Sequence, residues 1–106
     1  MFARSLSIRL KPNSVAEFTQ VIEKETLPVL RRQEGFQDDI TFVAPGDAEA
    51  VGISLWDRKE HADAYGRGAY PGVLKALRNV VEGTPQVRTY EVCSSTFHKI
   101  AARVAA

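Results

Sequence analysis

The stretch ISLWDRKEHADAY, residues 53–65, passes from an apolar segment through the only tryptophan of the chain into a group of charged residues. Residues 50–56 are apolar or small, which favours a β-strand. Asp57 and Glu60 have the spacing of a capping box, in which two side chains satisfy backbone N–H groups at the start of a helix. We therefore predict a strand that ends at Trp56 and a helix with Asp57 as its N-cap.

The residues before this stretch predict a strand, a helix and a second strand. Residues 2–10 alternate between apolar and polar side chains, as a strand with one buried face does. A capping box that begins at Ser14 should start a helix over residues 14–33, and Pro28 should bend it because proline removes a backbone donor. Residues 36–44 are rich in β-formers and should pair with the next strand as a hairpin.

The residues after the opening stretch predict a broken helix and a final strand. Gly66 and Gly68 interrupt the helix, and Pro71 restarts it at a first helical position. Gly83 should end this second piece, whose predicted buried stripe consists of Val73, Leu74, Leu77 and Val81. Residues 85–97 predict a last strand of unusual length.

The order of these elements, β-α-β-β-α-β, predicts the α+β class and a ferredoxin-like fold, a four-stranded antiparallel sheet with both helices on one face. Residues 1–97 should form a single domain, and residues 98–106 an Ala-rich C-terminal tail. Apolar side chains on both faces of the strands indicate that a second copy of the chain covers the free face. We expect a homodimer through the sheet face, with the long last strand closing a barrel.

Composition limits the functions that remain. The 106 residues include 14 basic and 13 acidic ones, for a net charge of +1, so no basic surface for nucleic acid is expected. No apolar run is long enough for a membrane span and no signal peptide is recognisable, so we expect a cytoplasmic protein. Cys93 is the only cysteine, which rules out an intrachain disulfide, and the two histidines lack a metal-binding spacing, so no metal site is expected.

Three features together carry a family resemblance. They are the Glu34-Gly35-Phe36 junction, Trp56 directly before the DRKEHADAY helix, and the late strand PQVRTYEV. Over about residues 1–97 the chain resembles the antibiotic-biosynthesis-monooxygenase-like family of dimeric α+β barrel proteins. The resemblance implies a pocket in each monomer between the sheet and the helices. It also implies candidate activities, because some relatives oxidise anthrones or quinols with molecular oxygen and no cofactor, and others degrade haem.

The haem-degrading branch of that family has an Asn on the first strand, a Trp on the second helix and a His ligand further along that helix. The corresponding positions here are Ser5, Tyr65 and residues 73–77, and none of them carries the residue of that branch. This difference argues against haem degradation, and no cofactor is expected.

The helix that follows Trp56 supplies the candidate site residues. The catalytic candidates are His61, Tyr65 and Arg67: a neutral imidazole near a helix N-terminus could act as a base, and a guanidinium could hold an anion. The simpler alternative for His61 is a solvated surface residue. The substrate-binding candidates are Trp56, Tyr65, Tyr70 and Leu74.

The aromatic candidates also have structural alternatives. Trp56 could pack against position 61 and fix the start of the helix, or its ring could form a pocket wall with the indole N–H bound to a substrate oxygen. Tyr65 and Tyr70 could fill the seam between helix and sheet, or border a mobile lid over residues 66–72.

Two hypotheses for function follow. The first is a cofactor-independent monooxygenase or a related small-molecule enzyme that acts on an aromatic or quinol-like substrate. The second is a non-catalytic ligand-binding or dimerisation module of the same fold, in which the candidate residues only pack. The base is open in the first hypothesis, because no Asp or Glu stands isolated on an apolar face. Asp38 and Asp39 alternate across a strand, so their two carboxylates cannot share one face.

Overall fold

A computed structural model of the chain describes residues 1–98 and contains one four-stranded antiparallel sheet. Its strands are β1 (Phe2–Leu10), β2 (Phe36–Val43), β3 (Glu49–Trp56) and β4 (Val81–Glu91). They lie in the order β2-β3-β1-β4, so that β2 and β3 form a hairpin and β1 lies between β3 and β4. The predicted hairpin, the α+β class and the ferredoxin-like fold are confirmed.

The helices pack against one face of this sheet. They are α1 (Val15–Val21), α2 (Leu27–Arg31), α3 (Lys59–Arg67) and α4 (Tyr70–Leu77). A π-helical segment, Ile22–Thr26, joins α1 to α2. The first helical region therefore changes from α-helical to π-helical hydrogen bonding just before Pro28. Pro28 lies at the start of α2, directly after the π-helical segment.

Neither predicted capping box forms. The Ser14 hydroxyl donates to the carbonyl of Pro12 at 3.3 Å, and no side chain caps α1. Arg58 is the N-cap of α3, in extended conformation, and again no side chain caps the helix. The Asp57 carboxylate lies 2.7 Å from Nδ1 of His61 instead. The side-chain capping roles predicted for Ser14 and Asp57 were therefore wrong, because each side chain has another partner.

The boundaries of the last strand also differ from the prediction. Helix α4 ends at Leu77, and β4 begins at Val81, so Val81 and Gly83 belong to the strand and not to the helix. Ser7 of β1 pairs with Gln86 while Arg9 pairs with Glu82, which leaves two extra residues on β4 in a bulge. Proline and glycine are tolerated there because β4 is an edge strand.

The far end of β4 was predicted too long. The strand stops at Glu91, and Cys93, expected within it, is an exposed residue beyond its end. The last described residue, His98, lies in a turn, and the rest of the predicted tail, residues 99–106, lies outside the described residues.

The inner face of the sheet and the helices enclose one hydrophobic core. Its buried members come from β1, β3, the segment before β4 and the helices, and Phe36 and Val43 of β2 pack against them. The buried members include Ile8, Phe18, Leu30, Trp56, Tyr65, Val73, Leu77 and Val80. Residues directly opposite in neighbouring strands share a face. By that register, the outer face carries Ile40, Phe42, Val51, Ile53, Leu55 and Tyr90, and Phe42 and Tyr90 are each 50% exposed.

Within residues 1–98, no helix combines the length and the apolar character that a membrane crossing requires.

Gly35 gives a test of how the first helical region is joined to α3. It has φ +82°, its carbonyl accepts a hydrogen bond from the Asp57 N–H at 2.9 Å, and a Cβ there would collide with the side chains of Asp57 and His61. Gly46 also has a positive φ, +98°, but a Cβ there would meet open space. We expect Gly46→Ala to lower the free energy of unfolding by about 1 kcal/mol through backbone strain alone.

Gly35→Ala should cost at least about 1 kcal/mol more than Gly46→Ala, because overpacking adds to the same strain. Urea unfolding of both variants, followed by the fluorescence of the single tryptophan, measures the difference. Equal losses in the two variants would show that Gly35 is needed only for its backbone conformation.

Candidate functional site

A cavity lies between the inner face of the sheet and the helices. The cavity and its open mouth together contain about 510 Å³ of empty space. The centre of a water molecule can reach about 50 Å³ of that space. Its lining is mostly apolar, and its polar members are Arg4, Thr26, Asp39, Thr41, Ser54, Tyr65 and Tyr70. A mainly apolar cavity with a few convergent polar groups is the usual form of a small-molecule site.

The strand register explains why polar residues from three strands meet on the cavity floor. Ser54 pairs with Arg4 on one side and with Asp39 on the other, so the three residues form one row across the inner face. In the next row, Gly52 pairs with Leu6 and with Thr41. Because Gly52 has no side chain, and a Cβ there would have only the Thr41 hydroxyl at 4.0 Å, the cavity opens above it.

Arg4 is the one cation that the described residues place on the cavity floor. The residue is only 8% exposed, and its Cζ lies 3.9 Å from the ring centroid of Tyr70 and 5.2 Å from that of Tyr65. These distances are those of cation–π contacts. Within residues 1–98, no carboxylate forms an ion pair with Arg4. Among the described residues, its charge therefore lies against aromatic rings without a balancing carboxylate.

Asp39 is the acid of the cavity. Burial raises the pKa of its carboxyl above the usual value, and repulsion from Asp38 adds to that rise. The Thr41 hydroxyl, which donates to Oδ2 of Asp39 at 3.2 Å, acts in the opposite direction and lowers the pKa. Asp38 itself is exposed on the other face of β2, as the alternation along the strand predicts.

The two tyrosines of the cavity remain protonated at neutral pH. Burial raises the pKa of Tyr65 to about 12, and the nearby Arg4 only partly offsets this effect. Burial also raises the pKa of Tyr70, against the opposing effects of the charge of Arg4 and a hydrogen bond with it. Both phenols can therefore donate hydrogen bonds to a ligand but cannot act as bases near pH 7.

The remaining hydroxyls differ in their availability. Ser54 donates to the carbonyl of Arg4 at 3.4 Å and accepts from the Trp56 indole N–H at 2.9 Å. Thr26, in the π-helical segment, lines the cavity, is 7% exposed, and has no hydrogen-bond partner for its hydroxyl among residues 1–98. Buried polar groups usually have a partner, so the Thr26 hydroxyl is a free contact for a ligand.

The predicted aromatic residues divide into two groups. Tyr65 and Tyr70 line the cavity, with ring centroids 6.0 Å apart. Trp56 is fully buried behind Tyr65, stacks on it at 5.1 Å, and meets Phe36 edge-on at 5.6 Å. Its indole N–H is already bound to Ser54, so Trp56 supports the cavity without lining it.

Three other predicted residues lie away from the cavity. Arg67 is exposed near the end of α3, and Leu74 faces a shallow surface groove beside Pro71. His61 lies at the junction of α3 with the first helical region, where Nδ1 is 2.7 Å from Asp57 and Nε2 is 3.4 Å from Glu34. The hydrogen bond with His61 lowers the pKa of Asp57. His61 thus joins two surface segments.

Arg4 and Asp39 were missed, although the sequence holds a signal for each. Arg4 is in phase with Phe2, Leu6 and Ile8 and is the one charged residue on that apolar face of β1. The signal for Asp39 is weaker, because a bulge between Phe36 and Asp38 shifts the alternation of β2. Only the paired register shows that Asp39 shares a face with Arg4.

The described residues offer no metal centre. Among residues 1–98, no three His, Cys, Asp or Glu side chains are grouped so that they could hold a metal ion.

No family model and no curated protein sequence matches this chain. Many solved structures resemble it, and the following three are among those with a similarity probability of 1.00. A putative antibiotic biosynthesis monooxygenase from Bordetella bronchiseptica has a TM-score of 0.73 at 15% identity, covering 86% of this chain and 95% of its own. SnoaB, a cofactor-independent oxygenase from Streptomyces nogalater, has a TM-score of 0.72 at 18% identity, covering 90% of this chain and 95% of its own.

The third is a monooxygenase from the gene ActVA-Orf6 of Streptomyces coelicolor, solved with the ligand nanaomycin D. Its TM-score is 0.72 at 12% identity, with 84% of each chain covered. The chain has the antibiotic biosynthesis monooxygenase-like fold. Sequence identity at this level identifies the fold alone, so the function of this chain has to be argued from its own cavity.

The electrostatics of the cavity can be tested at Asp39. We expect the carboxyl of Asp39 to titrate above 3.8, the ordinary pKa of an aspartate, because burial disfavours its charged form. Thr41→Val should raise the titration midpoint further by removing the hydrogen bond that stabilises the carboxylate. Asp38→Asn should lower it only slightly, since repulsion is the smallest of the three causes. Carboxyl-carbon NMR titration measures all three midpoints.

The raised pKa of Asp39 also affects the stability of the folded protein. A raised native pKa means that the native state binds more protons than the unfolded state, so Asp39 lowers stability as the pH rises through its native pKa. Asp39→Asn should therefore be more stable than the wild type at pH 7, and this gain should vanish below the unfolded-state pKa. A midpoint at or below 3.8, or a pH-independent effect of the substitution, would contradict a buried Asp39.

Proposed function

We propose that this chain is a cofactor-independent monooxygenase, or a related small-molecule enzyme, acting on a small acidic aromatic compound of the quinol type. One observation carries the proposal: an acid with a raised pKa, Asp39, and a cation without an ion-pair partner among residues 1–98, Arg4, line one mainly apolar cavity. A carboxyl group whose pKa is raised by burial in a cleft is a candidate for a functional residue.

Each polar group has a role in the proposed reaction. Asp39 accepts the proton of a ring hydroxyl, and its raised pKa makes the carboxylate a stronger base than an exposed one. Arg4 attracts the negative charge of the substrate in surroundings that hold little water. Tyr65, Tyr70 and Thr26 donate hydrogen bonds that orient the ring. The substrate anion then gives one electron to molecular oxygen, and the resulting superoxide and substrate radical combine.

Two catalytic roles change from those proposed on the sequence. Asp39 replaces His61 as the base, and Arg4 replaces Arg67 as the residue that attracts the anion, because Asp39 and Arg4 line the cavity. Tyr65 keeps its place among the site residues. The similarity in fold to SnoaB, a cofactor-independent oxygenase, supports this class of reaction.

A non-catalytic ligand-binding module is the second candidate. The observation that favours it is the small space inside the cavity, about 50 Å³ for the centres of water-sized spheres. Such a space holds a few waters, and a single aromatic ring enters only if the helices or the side chains of the two tyrosines move outward. A fused-ring anthrone requires a larger movement than a quinol does.

The outer face of the sheet is the proposed site of a homodimer. Its apolar side chains, with Phe42 and Tyr90 each half exposed, form a surface that another sheet of the same kind can cover face to face. Two-fold symmetric dimers are the commonest oligomers. The inner cavity of each copy then remains independent of its partner.

Oxygen uptake tests the reaction. Purified protein without added metal or cofactor should consume oxygen with a quinol panel, and the rate should saturate with substrate. Asp39→Asn should lower turnover by about 10²–10⁴-fold, the usual contribution of a general base. Tyr65→Phe should cause a smaller loss, because it removes one hydrogen bond.

The control variant is Asp47→Asn, which changes an exposed carboxylate in the hairpin turn and should leave uptake unchanged. Protein denatured by heat gives the background rate. If wild-type uptake does not exceed that background for any quinol, the enzyme hypothesis fails and the binding module stands.

Sedimentation equilibrium tests the dimer. The wild type should have twice the mass of one chain, and Phe42→Glu should give the single-chain mass because it buries charge at an apolar interface. Val87→Glu is the control: Val87 is 39% exposed but shares the inner face with Leu6. A monomeric wild type, or a Phe42→Glu variant as dimeric as the wild type, would contradict the interface.

A further inference from the structure

Arg4 brings a positive charge into the cavity without an ion-pair partner among residues 1–98. The residue is 8% exposed. Burying a charge without an opposite charge is costly, so buried cations normally have an anionic partner. The faces of Tyr65 and Tyr70 compensate only part of that cost. The cavity is therefore arranged to receive an anion.

Asp39 does not supply this anion. It lies in the same row as Arg4 with Ser54 between them, which separates the two Cα atoms by two strand spacings, about 10 Å. Arg4 is also not among the causes that shift the pKa of Asp39. The two groups thus mark opposite ends of the cavity floor, a cation at one end and a proton acceptor at the other.

The guanidinium keeps donors for a ligand. It carries five N–H groups, and the contact with a ring face uses none of them. A carboxylate matches the fork of a guanidinium better than a single anionic oxygen does, because it accepts two parallel hydrogen bonds. The apolar lining between the two ends suits a ring.

We propose that the cavity takes a single-ring hydroxy-substituted aromatic carboxylate, whose carboxylate pairs with Arg4 and whose ring hydroxyl is directed toward Asp39. This inference deepens the proposed function, on which it rests, by naming the substrate class. Arg4 and Asp39 lie on opposite sides of Ser54, so a ring placed between them can present two substituents at opposite positions. One ring already requires the helices or the two tyrosines to move outward, and a second fused ring requires a larger movement.

Isothermal titration calorimetry with a matched pair of probes tests the inference. The probe is 4-hydroxybenzoate, and its neutral counterpart is 4-hydroxybenzamide, which has the same shape without the charge. The wild type should bind the carboxylate about tenfold to a hundredfold more tightly, the worth of a charged hydrogen-bonded pair. Equal affinity for the two probes, or binding of neither, would overturn the proposal.

Variants locate the carboxylate. Arg4→Met keeps the length of the side chain and should abolish the preference for the carboxylate, and the loss of a buried charge should not prevent folding. Arg4→Lys should recover only part of the preference, because an ammonium lacks the fork. Arg9→Met, an exposed position on the outer face of the same strand, is the control and should bind like the wild type. A preference that survives Arg4→Met, or is lost in Arg9→Met, would contradict the role of Arg4.

The binding and activity tests fail separately. Arg4-dependent binding of 4-hydroxybenzoate without oxygen uptake on any substrate supports the ligand class and overturns the proposed reaction. Saturable uptake with a neutral quinol, equal in the wild type and Arg4→Met and without carboxylate preference, overturns the ligand class and leaves the reaction standing.

Discussion

The burial of Trp56 is the interaction on which the rest of the structure depends. Its side chain is completely buried at the end of β3, where it meets Phe36 of β2 edge-on and stacks on Tyr65 of α3. Large aromatic side chains contribute more buried area than any other type and prefer these offset and edge-on arrangements. Through Tyr65 the contacts continue to Tyr70 and Arg4. One aromatic cluster therefore joins the hairpin, α3, α4 and β1.

This cluster also determines where the cavity lies. The aromatic rings fill the end of the inner face near the start of β1, and aliphatic residues fill the other end. Between them, Gly52 contributes no side chain and the register brings Arg4 and Asp39 onto the same floor. A partly dry space between two packed regions has a low effective dielectric, so the charges that border it act more strongly on a ligand than surface charges do.

The solved structures of this fold share its backbone at identities of 12–18%. At such identity the common features are the pattern of apolar residues and the order of elements, which many sequences satisfy. The fold does not determine which polar groups lie inside the cavity. Arg4, under the faces of two tyrosines, and Asp39, bonded to Thr41, are therefore the part of this molecule from which its own chemistry has to be inferred.

The sequence by itself determined the element order, the α+β class, the first strand, the hairpin and the break after α3, because local periodicity and turn residues encode these features. Tertiary structure decided what depends on partners distant in sequence: the side chains of Ser14 and Asp57 found other partners than the helix ends, and the bulge in β4 moved the boundary predicted at Gly83.

Tertiary structure likewise decided the membership of the site. Tyr65 and Tyr70 could be predicted from one helix, whereas Arg4 and Asp39 meet only through the pairing of three strands. A shift of one residue in that pairing turns a side chain to the opposite face. The fold could be predicted because local periodicity encodes it. The charged half of the site could not, because it depends on the register between strands that are distant in sequence.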